Sequence, residues 1–299
     1  MNKILLAVIL VMTAMPVKAE EVYRDAGAGA FSFLKIDPGA RAAALGGTGL
    51  LNSGELALFT NPAQMASMGA ASVSAGHNRW MGDATQNFIS WNFSLGGVRC
   101  GLGTRSVYVG GMEMREGATS QPVTTFSAWD ISMHAAAGIR LGMFKLGAGL
   151  KVIREKVWTE SATGFAADAG VVVTPLEGLE LAGAVQHLGP SVTMVDDAFR
   201  LPATWRVGGR YTTGILPGST SVSLETGKPL DNRPAAGCGL EYRPRRWISL
   251  RLGMRFSDDS RELTSGAGLS AGSWSLDYAF VPTSYALGTV HRFTLHRSL

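Results

Sequence analysis

Charge, cysteine and long hydrophobic runs are all scarce in this chain of 299 residues. Charged residues make up 17% of it, below the roughly 25% that is usual for soluble domains. Lys and Arg number 27 against 23 Asp and Glu, so no basic field strong enough to bind nucleic acid is present. After residue 19, no hydrophobic run reaches the roughly 20 residues of a membrane-spanning helix.

Residues 1–19 (MNKILLAVILVMTAMPVKA) have the features of a secretory signal peptide. Lys3 supplies a positive start, residues 4–17 are apolar, and Val17 and Ala19 are small residues at the −3 and −1 positions. We therefore expect cleavage after Ala19. The apolar stretch is shorter than the roughly 20 residues of a spanning helix, which makes a retained anchor the weaker alternative.

Glycine is abundant, at 38 of 299 residues, or about 13% against a usual ~7%. From about residue 71 onward, apolar residues alternate with polar residues or glycine, as at Ile248, Leu250 and Leu252 against Ser249, Arg251 and Gly253. A period of two indicates strands with one apolar face. About fourteen strands are predicted, at 71–79, 85–95, 98–108, 127–141, 143–156, 163–175, 178–189, 203–214, 219–228, 234–244, 247–258, 263–272, 273–281 and 286–299.

The predicted connections differ in length from one end of the strands to the other. Those after even-numbered strands are tight, as at 96–97 and 245–246, whereas two after odd-numbered strands are long, at 109–126 and 190–202. Transmembrane β-barrels have short periplasmic turns and longer outer loops. A soluble barrel with an apolar core is the alternative, but Trp129, Trp205 and Trp274 at strand ends favour a membrane, where aromatic girdles mark both interfaces.

Residues 20–70 have a different pattern, which predicts a small helical hatch. Asp37 and Pro38 can provide the N-cap and first residue of an alanine-rich helix that Gly46 and Gly47 end. Asn61 and Pro62 can start a second helix. A helix of alanines is thin enough to fit inside a barrel, so we favour an inserted hatch over a helical segment lying against the barrel. The predicted division is 1–19 signal peptide, 20–70 hatch and 71–299 barrel.

The segment 33–47 (FLKIDPGARAAALGG), followed by Asn61-Pro62-Ala63, resembles the opening signature of the PorV/PorQ family, which is related to fatty-acid transporters of the FadL type. Residues 185–189 with 201–202 resemble the middle block of that family, and 277–280 with 287–293 resemble its closing hairpin. The resemblance covers essentially the whole chain after the signal peptide. It implies an all-β fold, a fourteen-stranded antiparallel transmembrane β-barrel with an N-terminal helical hatch.

Catalytic and metal-binding patterns are weak. Asp130, Ser132 and His134 share one face of a strand, but residues two apart on a strand stand about 6.6–7 Å apart, beyond the 2.6–3.2 Å of a nucleophile and its base. We interpret them as polar packing in the lumen and predict no enzyme, cofactor or metal. Cys100 and Cys238 fall on lipid-facing positions of distant strands, and we interpret them as small apolar fillers rather than as a disulfide.

The candidate site consists of hatch residues and of charges predicted to face the lumen. Buried charges have to be paired or hydrated, so the lumen charges either form ion pairs that fix the hatch or line a polar binding path. The hatch residues are Asp37, Pro38, Arg41, Gly46, Gly47, Asn61 and Pro62. The lumen charges are Asp130, Arg140, Asp168, Arg206, Arg210, Arg251, Arg255 and Asp277.

Two functions are compatible with these patterns. The PorV/PorQ resemblance implies a barrel of the Gram-negative outer membrane, embedded in its lipid, that acts as an accessory or docking component of type IX protein secretion. In that case secretion-system proteins or secreted cargo would contact the long loops 109–126 and 190–202. The alternative is a FadL-like, hatch-gated transporter of a hydrophobic small molecule. Nucleic acid is not an expected partner.

Overall fold

A computed structural model of the chain describes residues 29–52, 54, 56–80, 84–214, 216–257, 261–282 and 288–299. Within these residues, fourteen antiparallel strands form a closed barrel, because β1 pairs with β2 on one side and with β16 on the other. This confirms the predicted fold class. The expected signal peptide lies outside the described residues.

Sixteen strands occur in the described residues, and fourteen of them belong to the barrel. The barrel strands are β1 Ser72–Arg79, β2 Thr85–Leu95, β3 Val98–Met114, β4 Thr124–Leu141, β5 Phe144–Val157, β6 Glu160–Leu176, β7 Leu179–Leu188, β10 Thr204–Thr213, β11 Ser219–Pro229, β12 Ala235–Arg245, β13 Ile248–Phe256, β14 Arg261–Ala271, β15 Trp274–Pro282 and β16 Thr289–Ser298. The remaining two, β8 Val192–Met194 and β9 Asp197–Phe199, form a separate hairpin.

Turns and long connections lie at opposite ends of the barrel. Two-residue turns join β2 to β3, β4 to β5 and β6 to β7 at one end, which we call the short-turn end. In the first of them, Gly96 and Gly97 have φ of 54° and 84°, the left-handed values that a two-residue type I′ hairpin requires. The connections 115–123 and 189–203 lie at the other end, the long-loop end.

Both connections predicted as long loops contain more strand than expected. The 109–126 connection is shorter, because β3 continues to Met114 and β4 begins at Thr124. At Gly110-Gly111 the pairing shifts register between Val109 and Met112, a bulge that glycine accommodates. The 190–202 connection folds into the β8–β9 hairpin, which packs its buried Val192 onto Phe31.

The apolar face of the barrel points outward. Met133 and Phe165, two strands apart across Val152, are 62% and 61% exposed, whereas the next residues, His134 and Ala166, are buried inside. A soluble barrel would show the reverse arrangement, and an outward apolar band is what a lipid bilayer requires. Among the described residues, no helix is long and apolar enough to cross a membrane.

The described residues between 29 and 71, which exclude 53 and 55, form four short helices that occupy the interior, and we call this segment the hatch. A 3₁₀ helix at Ser32–Lys35 begins it near the long-loop end, and α1 (Ala40–Ala44) and α2 (Ala57–Thr60) follow. A second 3₁₀ helix, Pro62–Ser67, leads to the start of β1 at the short-turn end. The hatch therefore passes through the lumen along most of its length.

The caps of these helices match the predictions only in part. Asn61 does cap the second 3₁₀ helix, since its Oδ1 accepts a hydrogen bond from the Ala63 amide at 3.1 Å. Asp37 does not cap α1, whose N-cap is Gly39 without a side-chain bond. The Asp37 carboxylate instead accepts hydrogen bonds from Arg206 of the barrel wall, because a charge-assisted bond to a guanidinium is stronger than a bond to a neutral amide.

Inward glycines allow the hatch to pack directly on the wall. A Cβ added at Gly147 of β5 would overlap the backbone of Pro62 and Ala63. A Cβ at Gly253 of β13 would overlap the backbone of Leu45 and Gly46. Part of the high glycine content is therefore explained by these close approaches, which no larger residue permits.

We predict that Gly147→Ala lowers the free energy of unfolding by about 1–3 kcal/mol, the usual cost of overpacking. Gly183→Ala is the matched control, because a Cβ on that outward glycine would have its nearest neighbour at 3.8 Å. Guanidinium unfolding in detergent, followed by tryptophan fluorescence, measures both. Equal stabilities of the two variants would contradict the close packing of the hatch.

Candidate functional site: the hatch and the lumen

Arg206 of β10 is the main link between the wall and the hatch. Its Nη1 and Nη2 each lie 3.2 Å from an oxygen of Asp37, and its Nε lies 2.6 Å from Oε1 of Glu225 on β11. The second Glu225 oxygen accepts the Leu50 amide at 2.9 Å, and Arg206 also donates to the Gly47 carbonyl at 3.3 Å. One arginine and one glutamate thus hold the hatch at three points.

A second ionic group lies below α1, toward the short-turn end. Arg41 of α1 lies 2.7 Å from Oε2 of Glu241, and Arg251 lies 2.8 Å from the other Glu241 oxygen. Arg251 also reaches Asp277 at 2.6 Å. Because Glu241 and Arg251 are buried, removing one member would leave an uncompensated charge in the interior.

A third group is buried in the wall at β4–β7. Lys151 lies 2.7 Å from Asp168 and 2.8 Å from Nδ1 of His187, and the His187 amide donates to Asp168 at 2.8 Å. Nearby, Arg105 of β3 donates to the carbonyls of Leu34 at 2.9 Å and Ile36 at 3.0 Å. Arg105 thereby satisfies two hatch carbonyls that have no helical partner.

Ser132 and His134 are in contact, although their spacing along the strand predicted that they would be too far apart. The Ser132 Oγ and His134 Nε2 lie 2.8 Å apart. The pair shares the buried lumen face with Lys151, and the His134 ring packs edge-on against Phe59 of the hatch. Asp130 does not complete a triad, since its inward cross-strand neighbour is Glu155. The pair therefore has the surroundings of packing rather than of an exposed nucleophile.

The remaining predicted charges differ in what they contact. Arg210 lies 2.5 Å from Glu180, which also binds Lys145 at 2.8 Å. Arg140 is exposed at the short-turn end, and no ion pair to it occurs among the described residues. Arg255 is also without an ion pair or hydrogen bond in the described part of the chain, and it lines the cavity described below.

The other predicted hatch residues contact the wall through their backbone or side-chain amides. The Pro38 carbonyl accepts a hydrogen bond from Asn78 at 2.8 Å, and the Gly46 amide donates to Thr264 at 3.1 Å. Gly46 and Gly47 have φ of 69° and 82°, as their expected role in ending α1 requires. The Asn61 side chain donates to the Leu50 carbonyl at 3.1 Å and so joins two hatch segments.

Sequence reasoning missed several partners. Lys35, Asp231, Lys145 and Asn78 form hatch or lumen bonds but were not among the predicted site residues. Lys145 carried a usable signal, because it shares the inward parity of Gly147 and Lys151 on β5. Asp231 lies in a connection between strands, where alternation gives no information about direction.

A cavity of about 390 Å³ lies beside the hatch in the long-loop half of the lumen. Its hatch side includes Leu34, Ile36 and Asp37, and its wall side comes from β7 and from β10 to β16. Trp80 and Val281 give it an apolar part, and the Arg292 guanidinium stacks 5.0 Å from the Trp80 ring centroid. Its charged lining residues are Lys35, Asp37, Arg206, Glu225, Arg255, Glu262 and Arg292.

No group of three or more histidine, cysteine, aspartate or glutamate side chains that could hold a metal occurs in the described ranges. Cys100 and Cys238 are both free. Their cross-strand partners Phe93 and Leu224 belong to the outer face, so both thiols lie on that face.

The fold and the site together define a class: fourteen-stranded barrels of the outer-membrane type, closed by an N-terminal hatch. Solved structures of that class match over most of the chain. The toluene transporter TbuX of Ralstonia pickettii has a TM-score of 0.64 at 15% identity, covering 88% of this chain and 99% of that one. The Pseudomonas putida toluene transporter TodX has a TM-score of 0.65 at 12% identity, with the same coverage.

A FadL homologue from Pseudomonas aeruginosa is similar with a TM-score of 0.55 at 13% identity, over 87% of this chain and 98% of that one. At these identities the likeness shows a FadL-like fold. No protein-family model matches the sequence, and no curated protein matches it. None of the comparisons supports the PorV/PorQ assignment, which stays a resemblance carried by short motifs.

We predict that Arg206→Met lowers the free energy of unfolding by about 1–3 kcal/mol, because it leaves the partly buried carboxylates of Asp37 and Glu225 without this hydrogen-bonded counter-charge. Adding Glu225→Gln and Asp37→Asn to it should recover part of the loss. Arg140→Met, which removes an exposed lumen arginine, is the control and should change stability by less than about 0.5 kcal/mol. Similar losses for Arg206→Met and Arg140→Met would refute the anchoring role of Arg206.

Proposed function

We propose that this protein is a hatch-plugged channel of the Gram-negative outer membrane that admits a small amphipathic molecule from the long-loop end. The cavity beside the hatch carries the proposal. Its volume of about 390 Å³ lies within the roughly 300–1,000 Å³ of small-molecule sites. It lies directly against the segment that would have to move for a ligand to continue through the barrel.

The lining of the cavity favours a ligand with a hydrophobic part and a polar or anionic part. Trp80, Val281 and Leu34 offer apolar contact, whereas Arg255 faces the same space without an ion pair in the described residues. A pure hydrocarbon would leave that guanidinium without a partner, and a wholly polar ligand would desolvate the apolar side for no gain. An aromatic ring that bears a carboxylate meets both requirements.

The hatch would act as the gate. Below the cavity, Leu45 and Gly46 pack on Gly239 and Gly253, and the Asn61-Pro62 corner packs on Gly147 and Gly170. Passage to the short-turn end therefore requires the hatch to shift. The ion pairs from Asp37 to Arg206 and from Arg41 to Glu241 would hold it closed in the absence of ligand, because breaking them exposes charges in the lumen.

The solved relatives support a channel for hydrophobic molecules without identifying the ligand. TbuX and TodX are named toluene transporters, and TodX is also named a monoaromatic hydrocarbon channel. The outward apolar band supports outer-membrane lipid as the partner of the barrel surface. We further propose that residues 1–19 are removed on export, that residues 20–70 are the hatch unit, and that the protein is not an enzyme.

The secretion role expected from the PorV/PorQ resemblance remains the second candidate. No comparison favours it, and its support is confined to motifs such as residues 33–47. A pull-down of the tagged barrel from outer membranes separates the two candidates. Enrichment of secretion components or cargo would favour the docking role, whereas their absence together with measurable uptake favours the channel.

The experiment that tests the channel fills the cavity from the wall. Val281→Trp places a large side chain in the cavity, whereas Phe280→Trp, one residue earlier on β15, changes only the outer face. Uptake of radiolabelled benzoate, toluene and arabinose is measured in cells with and without each variant. We expect Val281→Trp to lower benzoate uptake about tenfold, a loss typical of a ligand that no longer fits its pocket.

In Val281→Trp, toluene uptake should fall less than benzoate uptake, because toluene lacks the carboxylate that Arg255 would bind. Arabinose uptake should not change. Heat-dependent mobility on gels verifies that both variants have folded barrels. Equal benzoate uptake by Val281→Trp and Phe280→Trp, or by cells with and without the protein, would refute the channel.

A further inference from the structure

A second cavity, of about 310 Å³, lies on the outer face of the barrel, across β10 to β13. Its walls are Val207 of β10, Leu224 of β11 and Phe256 of β13. Its floor is formed by smaller residues, chiefly Thr226, Ala236 and Cys238. We call this feature the outer groove. It is separate from the lumen cavity, since these side chains alternate with the inward Glu225 and Gly237.

The pairing register explains why a groove forms here. Val207, Thr226, Ala236 and Phe256 are directly opposite one another across four strands. Thr226 and Ala236, in the middle of this row, are small, whereas Val207 and Phe256, at its two ends, are large. Adjacent strands lie about 4.8 Å apart, so the walls stand roughly 14 Å apart. By contrast, the outward row of Met133, Val152 and Phe165 carries a large side chain on each of β4, β5 and β6.

Lys228 and Trp205 lie just beyond the groove, on its side toward the long-loop end of the barrel. Lys228 of β11 is two residues beyond Thr226, on the same outward face, and its cross-strand partner is Trp205. Lys228 has no ion pair within the described part of the chain. It lies nine residues from the short-turn start of β11 at Ser219, or roughly 23 Å along the barrel axis at about 3.3 Å per residue and a tilt near 40°.

That height places Lys228 at the edge of the hydrocarbon. The lipid-facing band of such barrels is about 25 Å tall, with aromatic residues at its borders. A lysine and a tryptophan at this level lie among the lipid headgroups of the leaflet at the long-loop end. The apolar groove runs from them toward the middle of the bilayer. Its shape and charge therefore match one molecule, an acyl lipid with a phosphate in its headgroup.

We propose that the outer groove binds one acyl chain of a phospholipid with a net negative headgroup, whose phosphate binds Lys228. The lipid is held by apolar burial along Val207, Leu224 and Phe256 and by the charge of the lysine, which a zwitterionic headgroup engages less strongly. This proposal concerns the outer wall alone. It holds or fails independently of any transport through the lumen.

The test uses the full barrel reconstituted in vesicles of phosphatidylcholine that contain a trace of photoactivatable lipid. In one arm the probe is phosphatidylglycerol with a diazirine in its acyl chain, and in the other it is phosphatidylcholine with the same chain. Mass spectrometry locates the crosslinks. We expect phosphatidylglycerol to label peptides of β10–β13 several-fold more than the rest of the outer band, and more than phosphatidylcholine does.

Two substitutions address the groove and the cation separately, and each has a matched control. Ala236→Leu fills the floor and should lower the labelling of β10–β13 several-fold, whereas Ala137→Leu, an outward alanine on β4, should not. Lys228→Gln should abolish the preference for phosphatidylglycerol. Lys156→Gln should preserve it, because Lys156 pairs with Trp129 in the same way but lies on β5, whereas Lys228 follows the groove residue Thr226 by two positions on β11.

Heat-dependent gel mobility first establishes that every variant has a folded barrel. Labelling spread evenly around the outer band would overturn the proposal. So would labelling of β10–β13 that Ala236→Leu leaves unchanged, or a lipid preference that survives Lys228→Gln. The proposal is supported if Ala236→Leu lowers the labelling of β10–β13, Lys228→Gln abolishes the preference for phosphatidylglycerol, and the two control variants change neither.

Discussion

The fold and the site depend on one constraint: residues along each barrel strand face alternately the lumen and the hydrocarbon, and the closed sheet leaves none of its fourteen described strands with a free edge. In a bilayer an unsatisfied amide costs several kcal/mol, so β1 has to pair with β16 as it does with β2. Once the barrel is closed, a shift of one residue in register would turn Arg251 into lipid and Leu252 into the lumen. This constraint is the reason that apolar residues alternate with polar residues or glycine in the sequence.

Many inward positions of the barrel strands are glycine, and the hatch fills the space that they leave. Inward positions such as Gly147 and Gly253 admit hatch backbone, while inward charges such as Arg206, Glu225 and Glu241 bind its polar groups. The two kinds of contact are complementary, because glycine gives close approach without directionality and a guanidinium gives direction without close packing. Together they position a short chain of helices that could not be stable in isolation.

Strand positions were predictable because their signal is local. β2 was placed at its observed bounds, 85–95, and the inward parity of Arg206, Arg251 and Asp277 followed from counting along strands. Pairs between distant residues were not predictable. Alternation predicts that Arg206 faces the lumen, and Asp37 is predicted to cap a helix, but only the threaded hatch brings these residues, 169 positions apart, into contact. The same limit hid the Ser132–His134 bond, since side-chain rotamers decide whether neighbours on one face touch.

The two sides of the hatch differ in a way that bears on gating. Toward β3–β6, the Pro62–Ser67 helix packs closely on wall glycines, and its Met65 is buried in one apolar cluster with Ala136 of β4. Toward β10–β13, Leu45 and Gly46 also contact Gly239 and Gly253 closely, but the part of the hatch beside the lumen cavity is held through Arg206 and Glu225. Close apolar packing resists any displacement, because even a small gap forfeits dispersion contacts. Ion pairs beside a cavity can exchange partners with an incoming charged ligand, so the hatch would separate from the wall first along β10–β13, where the proposed ligand enters.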